Sequence, residues 1–237
     1  MTTCTNCHPH VTSNYCCDCG RPTKLQRVDS RYVVHEIQHV LHFEKGFLHT
    51  VKELLRNPGP VIEEFISRDR SRLVKPVVFL VVTSLVYTMI EHFFHIEQGY
   101  INYSEHDDSA VAAISAWVQN HYGYANIIMG VLIAFWLKLL YKSTYNFFEI
   151  LIMLCFVMGM GMLILSVFSL FEGLTDMPLL KISSITGVCY SSWAIGHFFD
   201  NKRVASYLKA LVAYVLGMLS FSITIFLLGF LIDSFKA

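Results

Sequence analysis

Five stretches of this chain stay apolar for about as long as a helix needs to cross a bilayer, roughly 20 residues. They lie near 76–96, 124–141, 148–171, 180–199 and 208–232. A backbone in hydrocarbon must satisfy its own hydrogen bonds, and segments of this length do so as helices. The expected fold class is an all-α polytopic membrane protein with five transmembrane helices forming a bundle over 76–237. A hydrophobic content of 54% and a mean hydropathy of +0.48 agree with it. The first 25 residues carry no apolar run, so no secretory signal is expected there.

Basic residues set the expected orientation. Of 18 Lys and Arg, 11 precede residue 76. The connection at 97–123 has none and carries Glu97, Glu105, Asp107 and Asp108. Lys138 and Lys142 follow the second span, and Lys202, Arg203 and Lys209 follow the fourth. This alternation predicts a cytoplasmic N-terminus and a C-terminus on the far side.

The spans differ in character. The third is almost wholly apolar and reads as broadly lipid-facing. The fourth, KISSITGVCYSSWAIGHFF, repeats small residues at Ser183, Gly187 and Ser191 and again at Ser192 and Gly196. That spacing lets helix backbones approach, which places the fourth span inside the bundle. On the first span, Ser84, Thr88, Glu91 and His95 share one helical face. They are candidates for a transmembrane polar path, because an intramembrane carboxylate is costly. The plainer reading has Glu91 reaching the outer interface.

The N-terminus carries two Cys-x-x-Cys pairs, Cys4/Cys7 and Cys16/Cys19. Each pair can place two thiolates on one metal, and two pairs close a tetrahedral shell. Four ligands leave no open position, so the implied zinc ion is structural. Cys17 is spare, and His8 or His10 are alternative donors. Residues 1–25 are thus expected to form a small zinc ribbon.

Residues 26–75 are expected to hold short amphipathic helices and a basic flank. The first, over 31–45, puts Val33, Val34, Ile37, Val40 and Leu41 on one face and His35, His39 and His42 on the other. These histidines are candidates for a secondary metal site or a pH response. The stretch His35-Glu36-x-x-His39 also has the spacing of a zinc peptidase, with Glu36 as the water-activating base. Against it, a third ligand would have to come from Glu63 or Glu64, beyond Pro58 and Pro60, without any accompanying signature. No catalytic residue is assigned. The first helix should end at Gly46, Thr50-x-x-Glu53 reads as a capping box for a second, and Pro60 can open a third. Arg68, Arg70, Arg72 and Lys75 then stand beside the bilayer, where they can meet anionic lipid headgroups.

The runs GFLHTVKELLRNPG and SRDRSRLVKPVVFL, with Arg70, Arg72 and Pro76, together with the paired cysteines, resemble a bacterial family of zinc-ribbon-headed membrane proteins, domain-of-unknown-function family 3667. The resemblance spans roughly the first 90 residues. It implies a bacterial inner-membrane location and a zinc ribbon, and it implies no reaction. This chain departs from the expected pattern at His8, where a glycine would close the first knuckle, and at Ser67–Arg70, where a Gly-Lys-Arg-like turn is typical. More loosely, five spans after a cytoplasmic N-terminus look like the topology of Yip1-type proteins.

The function expected from these features is that of a non-enzymatic scaffold or regulator of a membrane-associated partner. Membrane lipids and an unidentified protein are the expected partners, self-association is compatible with the composition, and no nucleic-acid motif is present. The alternatives are a channel or transporter component using the polar faces of spans one and four, and the His-Glu-x-x-His metallopeptidase.

Overall fold

A computed structural model describes residues 2–3, 7, 10–11, 17–19, 46–70, 72–94, 110–141, 145–175 and 177–236. The chain divides into two compact units, Met1–Lys45 and Gly46–Ala237. In the first, β1 (Thr2–Thr3) pairs antiparallel with β2 (His10–Val11), Thr2 opposite Val11 and Thr3 opposite His10. The expected helix over 31–45, with His35, Glu36, His39 and His42, lies outside the described residues.

The second unit is helical: α1 (46–56), α2 (Pro58–Ser67), α3 (Pro76–Phe94), α4 (Ala110–Asn120), α5 (Tyr122–Leu140), α6 (Phe147–Thr175), α7 (Leu180–Phe199) and α8 (Val204–Lys236). Proline in the first turn opens α2, where an N–H would have no partner inside that helix. At the start of α6, Asn146 Oδ1 accepts the Glu149 N–H at 2.9 Å and the Glu149 carboxylate accepts the Asn146 N–H at 2.7 Å. This reciprocal pair is a capping box. The one expected at Thr50/Glu53 does not form, because Thr50 lies inside α1. Its hydroxyl donates to Gly46 O at 2.8 Å and accepts the Val74 N–H at 3.1 Å.

Four helices, α3, α5, α6 and α8, are long and apolar enough to cross a membrane, which marks the chain as a membrane protein. The expected fourth crossing is helical over Leu180–Phe199 but is not among them. Five Ser and Thr side chains, with Lys181 and His197, lower its hydropathy. Between the first and second spans the connection is not all loop, since α4 forms there. The Asp233 carboxylate accepts the Ala110 N–H at 3.0 and 3.1 Å, placing negative charge at the start of α4.

Burial reverses one expectation. Half (50%) of the most apolar window of α6 is buried, against 11% for α8, so α6 is the central helix and α8 the one most open to lipid. An apolar side chain suits lipid and protein interior equally, so composition cannot separate the two. The small residues of α7 act as expected at Ser183, Ser191, Ser192 and Gly196, all buried. A Cβ on Gly196 would come within 2.9 Å of Tyr207 Cα in α8, so the two backbones touch there.

Candidate functional site

Two regions gather the residues singled out in the sequence: a juxtamembrane platform and the polar face of α3. The head supplies less detail. The paired strands β1 and β2 flank the first cysteine pair in the sequence. Cys7 and Cys17 are exposed and Cys19 is half-buried; Cys4 and Cys16 lie outside the described residues. Among the described residues, no three His, Cys, Asp or Glu side chains gather around one point.

The platform is built from α1 and α2. Its junction poses a backbone problem that begins with Pro58. Leu54 O would ordinarily accept from residue 58, but proline has no N–H. Gly59, in the first turn of α2, has an N–H with no partner inside its own helix. Both groups face α7, which completes them. Tyr190 Oη donates to Leu54 O at 3.1 Å, and His197 Nδ1 accepts the Gly59 N–H at 3.2 Å. That acceptor role places the His197 proton on Nε2. The ring also stacks on Trp193, with centroids 5.8 Å apart. The polar character of α7 is thus partly explained: it caps two other helices.

Aromatic packing fixes the same platform to α3 and α6. Phe65 of α2 meets Phe156 of α6 edge-on, with centroids 5.2 Å apart. Phe156 also packs against Phe79 of α3 at 5.9 Å, and Phe47 of α1 against Phe79 at 5.2 Å. Leu54, Ile62, Phe79 and Phe156 are fully buried. Burial first, and then the charge of Glu63 on α2, push the Tyr145 hydroxyl above its ordinary value.

The basic flank is exposed, and part of it is engaged by the platform. Arg72 lies 3.7 Å from the Glu53 carboxylate of α1 and 3.1 Å from that of Glu64 on α2. Arg70 donates to Ile66 O at 3.4 Å. Among the described residues, neither Arg68 nor Lys75 forms an ion pair with a protein carboxylate.

On α3, Ser84 and Glu91 are buried and Thr88 is half-buried, its hydroxyl donating to Ser84 O at 2.9 Å. His95 lies outside the described residues. Glu91 is only 4% exposed, so protein and not solvent surrounds its carboxylate. A groove of about 680 Å³ opens between α3 and the α4–α5 turn, with Ser84 and Thr88 on one wall and His121 and Tyr124 on the other. Asn126 is a site residue that no motif in the sequence points to. It is 3% exposed, and its Nδ2 donates to Ser84 Oγ at 3.4 Å. Asn126 in turn lines a second cavity, about 150 Å³, between α5, α6, α7 and α8, with Ser184 and Gly187 on the α7 side. The Ser84–Asn126 bond therefore stands between groove and cavity. A lone asparagine in an apolar run was the available signal for it.

Residues 44–88 match the family model described as "Protein of unknown function (DUF3667)". The matched segment contains α1, α2, the basic flank and α3 up to Thr88. Nothing among curated proteins and nothing among solved structures matches the chain.

Proposed function

We propose that this chain is an integral protein of the bacterial inner membrane in which a cytoplasmic zinc ribbon is joined, through the α1–α2 platform, to a bundle crossing the bilayer five times. Its role is that of a scaffold or regulator for a membrane-associated partner, not an enzyme. The observation that carries this reading is the capping of both platform helices by α7. A surface-floating amphipathic segment would have no such bonds, whereas a platform bonded to the bundle can pass displacement between the two.

Support for α7 as the fifth crossing comes from where its ends lie. Tyr141, just after α5, stacks on Phe199 at the end of α7, with centroids 4.0 Å apart. The Tyr141 hydroxyl also donates to Ser206 O at the start of α8. The end of α5, the end of α7 and the start of α8 thus share one side. Because α6 leaves that side and α7 returns to it, α7 retraces the crossing. In this reading the N-terminus is cytoplasmic and the C-terminus periplasmic, as the distribution of Lys and Arg predicts.

Cys4, Cys7, Cys16 and Cys19 are the proposed ligands of one structural zinc. The antiparallel pairing of β1 with β2, which flank Cys4 and Cys7 in the sequence, supports this. Two-residue strands cannot hold a fold by themselves, so a metal would supply the missing stability. Metal counting on purified protein tests both the ribbon and its peptidase rival. About one zinc per chain should be lost in Cys4→Ser and Cys19→Ser and retained in His35→Ala/His39→Ala. Zinc that follows the histidines would remove the ribbon. The scaffold role is tested by crosslinking in cells: a partner captured by the intact protein should be lost in Cys19→Ser.

The Ser84–Asn126 bond favours a second reading, a channel or transporter component. The polar face of span one lines the groove and that of span four lines the cavity, one on each side of that bond. Unchanged flux in proteoliposomes bearing Glu91→Gln or Asn126→Leu would dispose of it.

A further inference from the structure

Four of the chain's 9 methionines line the 150 Å³ cavity. Met129 comes from α5, Met158 and Met162 from α6, and Met218 from α8. Met158 and Met162 are about one turn apart and so share a face. The space exists because Gly161 and Gly187, on facing helices, leave it open: a Cβ built on either would meet nothing within 4 Å. Asn126 brings a buried carboxamide to the same wall. Its nitrogen is committed to Ser84, which makes its carbonyl oxygen the end able to act as a donor to a cation.

Thioether sulfur is uncharged, polarizable and a ligand for soft metal ions. No carboxylate and no thiol lines this cavity. The charge of a bound ion would therefore find no anion in this largely apolar lining, and that cost rises steeply with charge. A divalent ion is strongly disfavoured on that ground, and a single charge is the tolerable case. We infer that the cavity is a binding site for a soft monovalent cation, of the copper(I) or silver(I) class, with Met129, Met158, Met162 and Met218 as sulfur donors and Asn126 as an oxygen donor. This site is independent of the zinc-ribbon reading.

Silver(I) is the probe, because it does not change oxidation state in air. The full-length protein is labelled with selenomethionine, purified with zinc present, and titrated with silver in chloride-free detergent buffer. Roughly one silver ion per chain should survive desalting, and selenium-edge X-ray absorption should show a selenium–silver path. Met158→Leu/Met162→Leu, which conserves volume, should lose that ion. Gly187→Leu should lose it too, by filling the cavity while every sulfur is kept, and it serves if the first variant does not fold. Absence of a selenium–silver path in the intact protein overturns the inference and leaves the methionines as packing. So does silver that both variants retain in full, since it would then sit on the cysteines.

Discussion

Gly59 and Gly187 are the same residue type in two opposite settings. A Cβ on Gly59 would lie 2.5 Å from His197 O and 2.7 Å from His197 C, both backbone atoms that cannot swing aside. Gly59→Ala should therefore lift α2 off α7 and cost about 1–3 kcal/mol. At Gly187 the added methyl meets nothing, and Gly187→Ala should be neutral or stabilising by up to about 1 kcal/mol through helix propensity. Chemical unfolding in detergent measures both, and equal destabilisation would contradict the packing described here. Thr50 shows why local pattern misleads at this scale. Thr50-x-x-Glu53 and Asn146-x-x-Glu149 both have the spacing of a capping box, yet only the second forms one. What decides is Val74, 24 positions beyond Thr50, whose buried N–H takes the threonine hydroxyl. Nothing near Thr50 encodes that partner.

At the scale of elements, α7 joins stability to the candidate site. Its Tyr190 and His197 complete backbone groups that Pro58 and the first turn of α2 leave open. Tyr190→Phe should cost about 1–3 kcal/mol, because Leu54 O then stays buried without a donor. His197→Leu should cost a similar amount, and the double variant less than the sum, since either loss already loosens the shared platform. Limited proteolysis between residues 57 and 60 gives a second readout: cleavage should accelerate in both single variants and stay slow in His121→Leu, a residue away from the platform. Additive costs with no gain in cleavage would mean that α7 does not hold the platform. The polar residues of α7 were legible in the sequence as inward-facing. Their partners were not, because α1 and α2 read as amphipathic helices whose apolar face suits a lipid surface as well as a protein one. Likewise Arg72 reads as one of four headgroup cations until its contacts with Glu53 and Glu64 are seen.

For the whole molecule, the proposed five-crossing topology predicts Cys19 and the α7–α8 turn on one face of the membrane and the α6–α7 turn on the other. Membrane-impermeant thiol labelling of Asn201→Cys should match Cys19, and Met177→Cys should label only from the opposite side. Labelling of Met177→Cys and Asn201→Cys from the same side would show that α7 does not cross. The sequence by itself determined where the helices lie. The apolar runs near 124–141, 148–171 and 180–199 became α5, α6 and α7 with shifts of a few residues at most, because a long apolar segment has almost no other way to satisfy its backbone in lipid. It also located the juxtamembrane segment that carries the family match. Only the tertiary structure decided which faces are inside. It made α6 the core and α8 the margin, raised α4 from an expected loop, buried Glu91 and brought Asn126 to Ser84. The physical reason is that a helix apolar all round has no moment to orient it, so its inward face is chosen by the shapes of its neighbours, by glycines that let backbones touch and by polar groups that need a partner.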